Sequence, residues 1–311
     1  MAYPIERKLV VGVSSTALFD LHEEESIFSE QGLEKYKQHQ IKYSKQVLNK
    51  GLAFPFIKRF LNINNVYNDE KPVEVVLFSK NSPETGLRIF NSIKHYNLDI
   101  SRAAFTSGKS PYSYIPAYNI SLFLSTNETD VLNAIEAGYP TGRIIKTKVE
   151  DDETDTELRV AFDFDGVIAD DESEKVYADS GQLTLYQAYE TEHNQEPLMP
   201  GPLGDFFKKL SIFQKMESRK QAKDPKYKKI LSTSIITARN APAQERAINT
   251  LKSWNVGVDE VFLLGGINKS RILEVMKPHL FLDDQISHLD PKLHNIPLVH
   301  IPFGIRNVKA K

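Results

Sequence analysis

Short apolar runs alternate with longer mixed segments along the first half of the chain. Residues 9–13 (LVVGV), 73–78, 103–106 and 121–124 have the length and branched or aromatic content of buried strands. Between them the spacing is helical. Leu87, Ile89, Phe90, Ile93 and Tyr96 recur on one face of residues 84–96, residues 54–61 form an apolar-faced helix behind Pro55, and a polar, mainly helical stretch reaches about residue 50. Strands separated by helices predict an α/β architecture with a parallel sheet. Residues 149–157 (VEDDETDTE) then offer almost nothing to bury, which predicts an acidic linker over 150–158.

Beyond that segment the pattern begins again. Residues 11–20 align with 160–169 at an offset of 149, 56–59 with 206–209 at 150, and 90–98 with 248–256 and 122–124 with 280–282 at 158. The matched pieces keep their order, and the offset changes only where a loop would absorb it. The chain therefore reads as two tandem copies of one α/β unit, 1–149 and 159–311.

The copies differ in chemistry. The run at 160–162 ends in Asp163 and Asp165, followed by Gly166, which permits a sharp exit at the carboxyl end of a strand. Two such acids could hold a magnesium ion and still leave one carboxylate to attack phosphorus. Three further strand ends follow. Thr237, Ala238 and Arg239 close a run at 234–236, and the hydroxyl and guanidinium suit phosphate oxygens. Lys269 opens a helical pattern behind Gly265 and Gly266, where it would neutralise phosphoryl charge. Asp283 and Asp284 close the run at 279–282. At the aligned positions the first copy has Ser14, Thr16, Ser125 and Thr126, hydroxyls in place of every candidate metal acid. Magnesium chemistry is thus expected only in the second copy.

Composition narrows the alternatives. With 39 basic and 41 acidic residues in 311, no charge excess favours a nucleic-acid polymer or a membrane surface. The absence of cysteine excludes thiol nucleophiles and thiolate metal sites and fits a reducing compartment. No apolar run approaches the length of a bilayer span, so a soluble cytoplasmic protein is expected, with self-association left open.

The segments DFDGV (163–167), ITAR (236–239), the Lys269 region and FLDDQ (281–285) resemble the four motifs of the haloacid dehalogenase (HAD) superfamily. More narrowly, LFDLHEEESIFSEQGLEKY (18–36), FNSIKHYNL (90–98), AFDFDGVIADDESE (161–174), ITARNA (236–241) and PHLFLDDQ (278–285) are similar to the type I cytosolic 5'-nucleotidases, a likeness running from about residue 8 to 304. The resemblance implies two HAD-like units, the second catalytic with a helical cap inserted at about 170–230. It also implies magnesium-dependent hydrolysis of nucleoside 5'-monophosphates, AMP prominent among them. Asp163 would be the nucleophile and Asp165 the acid and base. Thr237, Ala238 and Lys269 would bind the phosphoryl group together with Asp163. The metal would lie among Asp163, the Asp165 carbonyl, Asp283 and Asp284.

Other positions are candidates of lower weight. Tyr177, Tyr186 and Tyr189 lie in the cap region and could stack on a base, although such spacing also suits helix packing. Ser107, Gly108, Lys109 and Ser110 echo the end of a phosphate-binding loop, but residue 103 is alanine where that motif needs glycine. With Ser14 and Ser125, Lys109 and Ser110 could form a metal-free phosphate pocket in the first copy. Trp254, aligned with Tyr96, is expected in the core. A phosphatase of another small ester and a nucleotide-sensing module without turnover are the competing readings.

Overall fold

The computed structural model describes residues 4–292 and 295–307. Its chain forms two compact units, Met1–Tyr139 and Pro140–Lys311.

In the first unit, β1 (Leu9–Ser14) runs into the short α1 (Ser15–Leu18) and a small hairpin of β2 (Phe19–Asp20) and β3 (Asn49–Lys50) that brackets α2 (His22–Lys42). Gly32, at φ 80°, breaks α2 into two pieces. Then follow α3 (Phe54–Val66), β4 (Val73–Ser79), α4 (Leu87–His95), β5 (Arg102–Phe105), β6 (Ile120–Ser125) and α5 (Glu128–Glu136). The sheet order is β6-β1-β4-β5, all parallel. Leu9, Val10, Val11 and Val13 are buried on both faces of β1, which is why that strand is an unbroken apolar run rather than an alternating one.

In the second unit, β7 (Thr141–Ile145) precedes β8 (Leu158–Phe162), α6 (Glu172–Ser180), α7 (Leu183–Glu192), α8 (Gly204–Lys223), β9 (Leu231–Thr237), α9 (Gln244–Ser253), β10 (Glu260–Leu263), α10 (Ser270–Met276), β11 (Leu280–Asp283) and β12 (Leu298–His300). The order is β10-β9-β8-β11-β12-β7, parallel except for β7, which pairs antiparallel with β12. The series β11-β8-β9-β10 thus repeats β6-β1-β4-β5. Strands β4 and β9, and β5 and β10, begin 158 residues apart, and α3 and α8 begin 150 apart. The broken helix α2 has its counterpart in α6 and α7, separated at Gly181.

Three details position the site. Helix α8 packs beneath β8, with Phe206 and Phe207 against Phe162 at ring separations of 6.2 and 5.3 Å, so within 170–230 only α6 and α7 line the cavity described below. The acidic segment before β8 lies along the second unit, where Glu150 N–H donates to Asn295 (3.0 Å) and Asp155 pairs with Arg159 (2.7 Å). Trp254 is half-buried, not in the core, and carries the Lys208 ammonium 4.7 Å from its ring centre, a cation–π contact at the surface.

Candidate active site

The carboxyl ends of β8, β9 and β11 and the loop after β10 bring Asp163, Asp165, Thr237, Lys269, Asp283 and Asp284 to one end of the second unit's sheet, all of them buried. The chain can turn there because Gly166 adopts φ 72°. A Cβ at this position would also sit 2.8 Å from the Asp284 carboxyl, so glycine is required twice over.

Lys269 is the hub of this cluster. Its ammonium, 3% exposed, lies 2.7 Å from Asp163 Oδ2 and 2.7 Å from Asp283 Oδ2. Burial alone would lower the lysine's pKa, but the two carboxylates raise it, so the group stays charged. Asp283 is fully engaged. Its Oδ1 accepts from Gln285 N–H at 2.8 Å, and His288 Nδ1 lies 3.1 Å from both oxygens. Although burial opposes it, Lys269 and His288 draw Asp283 down to about 2. Asp163 is pushed up to about 6, first by burial and then by Asp283 and Asp165, with Lys269 opposing. Its Oδ1 accepts from Phe164 N–H at 2.7 Å, which fixes the carboxylate plane.

Asp284 behaves differently. Both of its carboxyl oxygens are buried without a hydrogen-bond partner, and so is Glu174 Oε2 on α6. Burial, then the charges of Glu174, Asp163 and Asp283, push Asp284 up to about 10. Burial and the neighbouring aspartates push Glu174 to about 8. An unpaired buried carboxylate such as that of Asp284 is costly unless a cation answers it, whereas Glu174 has the Arg306 guanidinium 3.8 Å away. The donors are all oxygen, which suits a hard divalent ion such as magnesium. Asp163, Asp283 and His288 also converge closely enough to share an ion. Lys269, Gln285 and His288 already occupy the oxygens of Asp283, however, so the free lone pairs belong to Asp284.

The family model for 5'-nucleotidase matches residues 1–308. Human cytosolic 5'-nucleotidase 1B is 34% identical over 288 residues, which cover 91% of this chain. The chain belongs to the 5'-nucleotidase family. It spans 47% of that human relative's length.

In this family member the site opens into a cavity of about 300 Å³. Tyr177, Leu183 and Tyr186 of α6 and α7 form its apolar wall, with Asp165, Ala238, Arg239 and Asn240 opposite. The rings of Tyr177 and Tyr186 meet edge to face at 6.3 Å, and the Arg306 guanidinium lies 5.7 Å from the Tyr177 ring. Tyr189 turns elsewhere, its hydroxyl donating to Glu172 at 2.6 Å. Arg239 faces inward, with its Nε and Nη2 donating to the two oxygens of Asp165 at 2.8 and 2.6 Å. Thr237 Oγ1 accepts from Arg239 N–H at 3.2 Å.

The first unit has its own cavity, about 730 Å³, at the equivalent strand ends. Ser14, Thr16, Ser125 and Thr126 all line it, but Lys109 and Ser110 do not. Lys109 is exposed, and Ser110 Oγ donates to Asp130 at 2.6 Å. The lining cation is Lys80, held 2.8 Å from Asp130, and the lining Glu24 is paired with Arg88. The four phosphate candidates are therefore not brought together in this cavity.

Glu190 and His288 were not singled out by the sequence. Each lies in a polar stretch that reads as a solvated helix or turn; burial marks Glu190, and contact with Asp283 marks His288. For Glu174 the acidic run at 170–174 was the available signal.

Proposed function

We propose that this chain is a magnesium-dependent 5'-nucleotidase that hydrolyses nucleoside 5'-monophosphates, AMP among them, to nucleoside and phosphate. The observation that carries the reading is the Lys269 ammonium bridging Asp163 and Asp283 beside the unpaired Asp284 carboxyl. A phosphate dianion needs a nucleophile, fixed positive charge and a second cation at one point, and this constellation supplies the first two and the ligands for the third.

In the first half-reaction an Asp163 carboxylate oxygen bonds to phosphorus as the bond from phosphorus to the 5'-oxygen breaks. Asp165 gives its proton to the departing oxygen, producing the nucleoside. In the second, water bonds to phosphorus, Asp165 takes its proton, and the bond from phosphorus to Asp163 breaks, releasing phosphate and restoring both acids. Lys269 and Thr237 would hold the phosphoryl oxygens, with the Ala238 backbone beside them. Asp163, the Asp165 carbonyl and Asp284 would hold magnesium, which when bound supplies charge neutralisation to the phosphoryl group. Asp283 is then a positioning residue that fixes Lys269.

Tyr177, Tyr186 and Leu183 would wall the nucleoside, and the first unit would be a copy that has lost the metal acids. Among the described residues no helix is long and apolar enough to cross a membrane, which is compatible with action in the cytoplasm. Phosphate release from a panel of nucleotides and sugar phosphates, with and without magnesium, tests the proposal. Turnover of nucleoside 5'-monophosphates dependent on the metal is expected, and preference for sugar phosphates would overturn it.

A further inference from the structure

The reading of Asp165 as the proton donor leaves open what holds that side chain in place. Arg239 does so with its whole donor set. A guanidinium has five N–H groups, and here each has an acceptor. Nε and one Nη2 hydrogen go to Asp165, the other Nη2 hydrogen to Ser173 Oγ (2.8 Å), and the two on Nη1 to Glu190 and the Ala243 carbonyl (2.9 Å). The side chain is 1% exposed and packs 5.3 Å from the Phe164 ring. It has no donor left for a substrate, so Arg239 is not the phosphate ligand its position after Thr237 suggests.

Two of the three remaining anchors come from the helices that wall the cavity. Ser173 lies on α6 and Glu190 on α7. Glu190 is fully buried, accepting from Ser173 Oγ at 2.7 Å and from Arg246 Nη1 at 3.1 Å. It shares the charge of Arg239, so Asp165 is gripped without being the sole counter-ion. A planar fork on a carboxylate gains strength as the carboxylate gains charge. That is the change Asp165 undergoes when it gives up its proton. At the repeat offsets of 149, 150 and 158, the first unit has Thr16 for Asp165, Gln40 for Glu190 and Asn81 for Arg239, so all three charges are absent together.

We propose that Glu190 and Ser173 are positioning residues that act through Arg239 to hold Asp165 where it delivers a proton to the leaving 5'-oxygen. The proposal rests on Asp165 being that donor, and one experiment separates the two claims. Wild type, Glu190→Gln, Ser173→Ala and Asp165→Asn are each assayed on AMP and on its analogue with sulfur in place of the bridging 5'-oxygen. A thiolate leaves without prior protonation, whereas an alkoxide needs the acid. Both rates come from the same preparation, so any inactive fraction cancels in their ratio.

The expected result is a kcat loss for Glu190→Gln at least ~10-fold larger on AMP than on the sulfur analogue, with KM changed by less than ~3-fold. Ser173→Ala, the milder change, should shift the same ratio by roughly 3-fold. Equal losses on both substrates in these two variants, while Asp165→Asn separates them, would leave Glu190 and Ser173 merely structural and overturn the proposal. If Asp165→Asn itself fails to separate the substrates, the donor reading falls and the proposal falls with it.

Discussion

The two units place the same strand order under two opposite electrostatic solutions. In the first, the strand-end hydroxyls satisfy one another, with Ser14 to Thr16 at 3.1 Å, Thr16 to Thr126 at 2.6 Å and Ser15 to Ser79 at 3.1 Å. In the second, the aligned positions are carboxylates that are held by Lys269 and Arg239 or, at Asp284, held by nothing. Neutral hydroxyls close their own hydrogen-bond network and need no guest. Clustered acids cannot do so, and the unsatisfied remainder is what a metal and a phosphoryl group would complete. The fold supplies only the strand ends, and the residues placed there decide whether chemistry follows.

The largest break in this comparison is expected from Lys269→Met. Removing the ammonium leaves Asp163 and Asp283 buried without their shared counter-ion, which should cost roughly 3–5 kcal/mol of stability by denaturant unfolding and lower AMP hydrolysis by at least ~10²-fold. Asp284→Thr, which installs the first unit's residue in the second, removes the free metal lone pairs. Magnesium should raise the melting temperature of the wild type and not of this variant, while turnover falls by about 10²-fold or more. An undiminished magnesium-induced rise in Asp284→Thr would mean that the ion sits elsewhere.

A pH dependence follows from the same acids. Asp163 and Glu174 titrate at about 6 and about 8 in the folded protein, above their ordinary values of 3.8 and 4.5. With Asp284, pushed up to about 10, they leave the folded state holding more protons than the unfolded one, and stability falls as pH rises from about 4 to about 10. Asp283, held at about 2, acts in the opposite sense, its contribution present above pH 3.8 and lost as pH falls toward 2. Melting temperatures of metal-free protein should decline across pH 4–8, and magnesium should flatten the decline. The smallest effect is assigned to Thr16→Val. The loss of two hydrogen bonds in the first unit should cost about 1–2 kcal/mol and leave AMP turnover within ~2-fold.

Much of this was legible in the chain because burial writes itself into composition. Strands β1, β8 and β11 are buried apolar runs, and the acids and hydroxyls that follow them stand out against those runs. The α/β class and six residues that the structure brings together in the candidate site are therefore visible without coordinates. The short strands β7 and β12 were not, since three to five residues give no period. Glu190 was hidden for another reason. It is one of two acids ending α7, and only the arrival of Arg239 and Arg246 distinguishes it from the exposed Glu192. Lys109 is exposed and lies outside the lining of the first unit's cavity, a side-chain direction that the sequence does not record.

The central claim, that the second unit carries the reaction through Asp163, is tested most directly by phosphate release from AMP with magnesium for wild type and Asp163→Asn, alongside their melting curves. A loss of at least ~10³-fold is expected in a variant that still folds, because the amide replacing the Asp163 carboxylate cannot form the covalent intermediate. A folded Asp163→Asn protein that keeps a tenth or more of the wild-type rate would contradict it.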